Sequence, residues 1–196
     1  MIKLVVGLGN PGDEYKFTRH NLGFMVIDRL KKKSRRPVTK RECYSQVFSA
    51  NICRNRMLFI KPLTYMNLSG KAISCLFRKH DLLPEEMLII VDDIALPFGE
   101  VRIKTRGSSG GHNGLESIIE HIETENFPRL RMGILNNNVD DMVQFVLSEF
   151  NKNEEKQLEE LIDYAASCIK NIACKGIQFA QKYFNKKNLF KETEQI

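Results

Sequence analysis

The hydrophobic positions of this chain fall into short runs that predict strands, separated by stretches with the 3.6-residue spacing of helices. The run at 87–91 is continuously apolar, which is typical of a central strand covered on both faces. Segments 44–53 and 57–61 flank a turn near Arg54 and predict a β-hairpin. The other predicted strands cover residues 2–7, 101–105 and 130–135.

Predicted helices alternate with these strands up to residue 135. They cover residues 21–34, 67–80 and 113–122, and two more, at 154–171 and 175–184, follow with no strand between them. The alternation predicts an α/β fold, in which one three-layer domain has a mixed, largely parallel twisted sheet flanked by helices, plus C-terminal helices. We expect the domain to span 1–185 and the polar segment 186–196 to form a flexible, frayed tail.

Length and charge narrow the class of protein only a little. A chain of 196 residues can bury the core of one domain, and its net charge of +6 is weak evidence for a polyanionic partner. The densest basic run, 31–36, closes the first predicted helix, where it would also suit the helix dipole. With no bilayer-length apolar run and no signal peptide, the expected compartment is the cytoplasm.

The cysteines and histidines predict neither disulfides nor a metal. The chain has five cysteines, an odd number, with no C-x-x-C among them, so we expect reduced thiols that pack as small apolar groups. No ligand pattern joins the four histidines, so no metal site is expected. The cysteines are Cys43, Cys53, Cys75, Cys168 and Cys174.

The glycine-rich segment 7–12 (GLGNPG) has two incompatible interpretations. Its G-x-G-x-x-G spacing after a predicted strand is that of a dinucleotide-binding loop. Such a loop must open directly into a helix, yet residues 11–14 predict a turn, and amphipathic spacing begins only near Asn21. The ribose-binding acid would have to be Asp28, inside that helix. We therefore favour a tight loop that presents Asn10, followed by a loop that presents His20.

Several polar residues follow the predicted strands at the same edge of the sheet, where α/β proteins build their sites. They are Asn10, Asn67, Asp92 and Asn113, with His20 nearby in sequence. Each also has a structural interpretation. Asn67 and Asn113 could be helix N-caps, Asn10 a turn residue and Asp92 the cap of the following turn, while His112 could pack within its loop.

Four motifs in order resemble the signatures of bacterial peptidyl-tRNA hydrolase, from residue 2 to about 184. The second is 61–70 (KPLTYMNLSG), and the fourth is 110–115 (GGHNGL). The chain departs from the family pattern at 135–138 and 140–143, which concerns an auxiliary basic contact to tRNA. The first motif joins 6–12 to Tyr15 and 18–23, and the third is Asp92-Asp93 before Leu96-Pro97.

The resemblance implies cleavage of the ester that joins a peptide to the 3′-terminal ribose of tRNA. It implies His20 as general base, with Asp92 rather than Asp93 orienting it. The amides of Asn10, Asn67 and Asn113 would bind peptide carbonyls, the oxyanion or the ribose. No G-x-S-x-G occurs, and the cysteines lie outside the motifs, so a covalent mechanism is not expected.

The same resemblance implies further binding residues and the partners of the protein. Tyr15 and Met66 would line the peptide cleft, although Met66 is equally plausible in the core. Arg102, Lys104 and Arg131 would contact tRNA phosphates, although a solvated face would look the same. We expect a monomer that needs no cofactor, metal, membrane or protein partner. The alternatives are a non-catalytic RNA-binding relative, as in some organelle splicing factors, and a nicotinamide oxidoreductase.

Overall fold

A computed structural model describes residues 1–135, 139–185 and 188–190. The described residues form one seven-stranded sheet with helices on both faces. The strands are β1 (Leu4–Gly7), β2 (Thr39–Glu42), β3 (Ser45–Ile52), β4 (Asn55–Pro62), β5 (Met87–Pro97), β6 (Val101–Lys104) and β7 (Arg129–Leu135). The helices are α1 (Leu22–Lys33), α2 (Ser69–His80), α3 (Asn113–Ile122), α4 (Met142–Val146), α5 (Lys152–Lys175) and α6 (Ile177–Phe184).

The sheet is mixed, as predicted, with the order β2-β3-β4-β1-β5-β7-β6. Strand β1 pairs in parallel with β4 and β5, and β5 pairs in parallel with β7. The β2-β3-β4 meander and the β6–β7 pair are antiparallel. Strand β2 and the short helix α4 were not predicted. The sequence of β2 is Thr-Lys-Arg-Glu, a polar edge strand without the apolar alternation on which strand prediction depends.

Strand β5 divides the core between two helical layers. Leu88 and Ile90 point into a cluster with α1, α5 and α6, whereas Ile89 and Val91 point into a cluster with α2 and α3. The continuously apolar run therefore serves both faces, as a central strand must. The three-layer prediction is confirmed. Within the described residues, every helix is too short or too polar to cross a bilayer.

The glycines of the first loop allow close packing rather than dinucleotide binding. A Cβ atom at Gly7 would lie 2.1 Å from the backbone oxygen of Gly23, so only glycine lets β1 approach α1 this closely. The loop does not open into a helix, because α1 begins only at Leu22. The dinucleotide interpretation lacks the helix N-terminus that it needs.

The prediction of reduced thiols is wrong for four of the five cysteines. Cys43 is bonded to Cys75 and Cys53 to Cys174, with Cα–Cα distances of 5.5 and 5.3 Å. Cys43 and Cys53 each stand first in a two-residue hairpin turn, and the bonds tie these turns to α2 and α5 on opposite faces of the sheet. The paired cysteines are 32 and 121 residues apart, and no local spacing announces such pairs. Cys168 stays free and buried.

The end of the chain packs more than expected. Asn185 and Gln181 satisfy the backbone of Ile103 and so cover the free edge of β6. Beyond α6, Leu189 donates its N–H to the Gly99 carbonyl, and Phe190 stacks on a core phenylalanine. Residues 188–190 of the predicted tail therefore contact the domain, and its other positions, 186–187 and 191–196, lie outside the described residues.

Candidate active site

His20 and Asp92 meet where the apolar run of β5 ends. His20 lies in the 3₁₀ turn Arg19–Asn21, which leads directly into α1. Asp92 follows the apolar run of β5, and its Oδ2 lies 2.9 Å from His20 Nδ1. Only 7% of His20 and 3% of Asp92 are exposed. The hydrogen bond uses Nδ1 and therefore leaves His20 Nε2 for another partner.

The pair is polarised as an ionised carboxylate beside an imidazole. Burial alone would lower the pKa of His20, but the charge and hydrogen bond of Asp92 outweigh it and raise that pKa above its ordinary value. Burial would raise the pKa of Asp92, but His20 and His112 together hold it well below its usual range. Asp92 is therefore an anion near neutral pH, and it favours the protonated form of His20.

His112 is a third member of this group that the sequence interpretation assigned to loop packing. Its Nε2 lies 3.1 Å from Asp92 Oδ1, and its ring centre lies 4.7 Å from that of His20. Its Nδ1 accepts the backbone N–H groups of Gly114 and Leu115, at 3.1 and 3.3 Å, and so caps α3. The available signal was the GGHN segment at the predicted helix start, where histidine is an unusual N-cap.

The same three side chains are the ones that could hold a metal ion. One ligand atom from each of His20, Asp92 and His112 lies within 4.8 Å of the others, and no second such group occurs among the described residues. In the structure each imidazole instead uses the nitrogen facing Asp92 for a hydrogen bond to the carboxylate. These ligand atoms are therefore already hydrogen-bonded to one another, and the absence of a functional metal stays a prediction.

Asp93 points to the opposite face of the sheet, as strand alternation requires. It forms an ion pair with Nε of Arg131, and its Oδ1 accepts the N–H of Ala95 at 2.9 Å. Its carboxylate is therefore paired with Arg131 rather than with the His20 imidazole.

Asn10 is more than a turn residue, because it connects two loops of the site. Its Oδ1 accepts the N–H of Met66 at 2.8 Å, while its backbone exchanges two hydrogen bonds with the side chain of Asn21. Asn21 directly follows His20 in the chain, so these bonds join the loops that carry Asn10, His20 and Met66. The Nδ2 group of Asn10 has no partner within the part of the chain that the structure describes.

Asn67 and Asn113 are exposed, and neither caps a helix. The N-cap of α3 is His112, and the residue before α2 makes no side-chain cap. The two side chains have no hydrogen-bond partner among residues 1–135, 139–185 and 188–190, which leaves both amides accessible. Tyr15 is half-buried. Met66 is buried in the core beside Gly114, so its core interpretation is favoured over the predicted place in a cleft.

A cavity of about 390 Å³ opens beside His20 and Asp92. The glycine-rich loop before α3 forms one wall, and α4 contributes apolar side chains to another. Asn113 and His112 lie at its rim, whereas Asn10, Met66 and Asn67 do not line it. Of the three predicted amides, only Asn113 therefore lines the cavity.

The cavity continues onto a basic face of β6 and β7. Lys104 and Arg131, two of the predicted phosphate contacts, line it together with Arg106 and Arg129, which the sequence interpretation did not name. Arg129 is buried and donates to the Ser108 carbonyl, so it supports the glycine-rich loop.

The third predicted phosphate contact, Arg102, does not line the cavity. It donates to the Asn185 carbonyl at 3.0 Å and to Glu100 at 3.2 Å, and its contact with phosphate stays a prediction. The alternation of side chains along β6 predicted the face of the sheet on which Arg102 lies. It could not predict that Asn185, near the end of the chain, covers that side chain.

A profile of the peptidyl-tRNA hydrolase family matches residues 4–192. The chain belongs to the peptidyl-tRNA hydrolase family. The peptidyl-tRNA hydrolase of Aquifex aeolicus is 47% identical over 189 residues, with 96% of this chain and 98% of the relative covered. That of Finegoldia magna is 44% identical over 186 residues, with 95% and 98% covered.

Solved structures of peptidyl-tRNA hydrolase share the fold. The crystal structure from Acinetobacter baumannii superposes with a TM-score of 0.88 at 35% identity, covering 95% of this chain and 96% of that one. A complex of peptidyl-tRNA hydrolase with N-propanol gives a TM-score of 0.89 at 34% identity, with 96% of both chains covered. Membership in the peptidyl-tRNA hydrolase family confirms the resemblance found in the four motifs and, with it, the α/β fold class.

Proposed function

We propose that this protein hydrolyses the ester bond between a peptide and the 3′-terminal ribose of tRNA, with His20 as the general base. The observation that supports this proposal best is the hydrogen bond from His20 Nδ1 to Asp92 Oδ2. It leaves Nε2 without a partner among the described residues, and His20 lines an open cavity. An imidazole whose second nitrogen is held by a buried carboxylate is suited to take a proton from water. Family membership supports the same reaction.

The chemistry needs no covalent intermediate. His20 Nε2 takes a proton as the water oxygen bonds to the ester carbonyl carbon, and Asp92 stabilises the imidazolium that forms. The carbonyl electron pair moves to its oxygen, which gives a tetrahedral oxyanion. As the bond to the ribose oxygen breaks, His20 returns the proton to that oxygen. The products are the free peptide carboxyl group and tRNA with a free ribose hydroxyl.

Three amides are placed to bind the substrate around this reaction. Asn67 and Asn113 are exposed, and Asn10 has a free Nδ2 next to the Met66 backbone. Each amide both donates and accepts, so together they can bind peptide carbonyls, the oxyanion and ribose hydroxyls without selecting a side chain. This suits a substrate whose peptide varies.

The basic face beyond the cavity is the proposed site for tRNA phosphate. Lys104 and Arg106 are exposed there, and neither has an ion-pair partner within the described part of the chain. Arg131 also lines the cavity, but its ion pair with Asp93 offsets part of its charge. Phosphate binding by these side chains would hold the tRNA end while the amides hold the peptide.

The deciding experiment compares His20→Ala with wild type on N-blocked aminoacyl-tRNA and on unblocked aminoacyl-tRNA. We expect wild type to cleave only the blocked substrate and the variant to lose about 10²–10⁴-fold in kcat. His80→Ala is the matched control, because His80 pairs with Glu42 at the far edge of the sheet. A His20 variant with near wild-type turnover would reject this assignment.

We also propose that the protein acts as a monomer in the cytoplasm, with peptidyl-tRNA as its partner. The two disulfides oppose this compartment, because disulfides are uncommon in most cytosolic proteins. Trapping thiols in intact cells, followed by mass spectrometry, tests whether the four cysteines are oxidised where translation occurs. Size-exclusion chromatography with light scattering tests the monomer.

A further inference from the structure

We infer that His112 is a positioning residue for the proposed reaction, which clamps Asp92 so that Asp92 can orient His20. This inference rests on the proposed function of the His20–Asp92 pair. It begins with the two backbone N–H groups of Gly114 and Leu115 that point at His112 Nδ1. A ring nitrogen that accepts hydrogen bonds carries no proton, so the imidazole must carry its proton on Nε2.

The Nε2–H group of His112 therefore donates to Asp92 Oδ1, at 3.1 Å. The other carboxylate oxygen, Oδ2, receives His20 Nδ1–H at 2.9 Å. Each oxygen of the carboxylate thus has its own imidazole donor, and the two bonds together fix the rotation of the carboxylate plane. Because Asp92 is almost fully buried, the loss of one donor would leave a desolvated oxygen unsatisfied.

Histidine suits this position because it can accept at one end and donate at the other. Asparagine and aspartate are better N-caps, but their side chains are too short to cap α3 and also reach Asp92. The cap is anchored in a rigid part of the fold. A Cβ atom at Gly114 would lie 2.5 Å from Met66 Sδ, and Ser117 of α3 accepts the N–H of Gly70 of α2.

The same geometry argues against His112 as a second base. Its Nδ1 is occupied by backbone donors, and its Nε2–H faces Asp92. Neither nitrogen is open to take a proton from water. Its contribution must therefore pass through Asp92, which distinguishes the clamp from a group that touches the substrate.

Two substitutions separate the cap from the clamp. His112→Asn keeps an accepting oxygen for the α3 backbone but cannot reach Asp92, so we expect a kcat lower by about 10-fold and a KM within about twofold, with Tm lowered only by the loss of one buried hydrogen bond. His112→Gln can donate toward Asp92 and should recover part of the lost kcat at the expense of the cap. A His112→Asn variant with wild-type kcat would overturn the clamp.

A double-variant cycle tests the route through Asp92. Once Asp92→Asn has removed the carboxylate, adding His112→Asn should cost less than about twofold more in kcat, because interacting residues are not additive. If His112→Asn costs the same factor with and without the Asp92 carboxylate, His112 acts independently and the inference fails.

The tautomer offers a test that does not need activity. Histidine ¹⁵N NMR at neutral pH, with the His112 signal assigned by its loss in His112→Asn, should show the neutral form protonated on Nε2. A proton on Nδ1 would overturn the clamp even if the enzyme is a hydrolase. If instead His20→Ala is fully active while the tautomer is as expected, the proposed base fails and the hydrogen-bonded clamp on Asp92 stands.

Discussion

Arg19 joins the turn that carries His20 to the first turn of α5 through a buried ion pair with Glu154. Arg19 Nη2 lies 2.6 Å from Glu154 Oε2, and their side chains are 7% and 3% exposed. The same guanidinium lies over the rings of Phe145 and Phe150 and donates to the Ser148 hydroxyl. The residue next to the proposed base is thus anchored to the segment between α4 and α5.

We predict that Glu154→Gln destabilises the fold by about 3–5 kcal/mol, because it leaves the Arg19 charge buried without its partner. Urea unfolding measures this free energy. Glu159→Gln is the matched control, since Glu159 pairs with Arg29 but is 69% exposed, and it should cost no more than about 1 kcal/mol. Equal effects of the two substitutions would show that the Arg19–Glu154 pair is not a special anchor.

A second prediction concerns the pH dependence of hydrolysis. Because Asp92 raises the pKa of His20 above 6.5, the acid limb of kcat/KM should lie above pH 6.5, where the base loses its proton. Asp92→Asn leaves mainly burial, which lowers the pKa of His20, so the limb should move to lower pH while kcat falls. Asp93→Asn, on the other face of the sheet, should leave the limb in place. An acid limb that moves with Asp93 rather than Asp92 would contradict the assignment.

The raised pKa of His20 also predicts that the free energy of unfolding falls as pH rises, whereas activity increases over the same range. The folded protein binds the His20 proton more tightly than the unfolded chain, so this contribution is fully present below about pH 6.5. It is lost as pH rises through the folded pKa of His20. Urea unfolding of wild type and His20→Gln across this range should therefore converge at higher pH.

The sequence predicted the three layers of the fold and the proximity of His20 and Asp92, and each prediction had a physical basis. The apolar run of β5 had to be covered on both faces, and polar residues after parallel strands had to meet at one edge. His112 was missed because its N-cap and its bond to Asp92 depend on how a loop folds back over β5. Arg102 was assigned to the ligand because alternation shows which face a side chain occupies, and not that Asn185 covers it.

A fourth prediction concerns the disulfides, which sequence spacing could not reveal. Reduction should lower the free energy of unfolding by about 2–4 kcal/mol per bond, and by more for Cys53–Cys174, whose partners are 121 residues apart. Urea unfolding of Cys53→Ala/Cys174→Ala and of Cys43→Ala/Cys75→Ala measures the two losses separately. Unreduced, denatured protein should release one thiol, Cys168, whose pKa burial raises to about 12 in the fold. Five free thiols under those conditions would contradict the pairing.

The last prediction separates tRNA binding from the hydrolytic reaction. Lys104→Ala should raise KM for full-length substrate with little change in kcat, because a phosphate contact binds ground and transition states alike. It should also reduce the salt slope of binding by about 0.7–0.9. A peptide ester of a short oligonucleotide lacks the distant phosphates, so its hydrolysis should not change.

Arg102→Ala is the matched control, because Arg102 lies two residues before Lys104 on β6. Arg102 is hydrogen-bonded to Asn185 and Glu100 outside the cavity. It should lower Tm but leave the salt slope unchanged. If Arg102→Ala weakens full-length binding more than Lys104→Ala does, the phosphate is held beside Arg102, where Asn185 covers β6, rather than in the cavity.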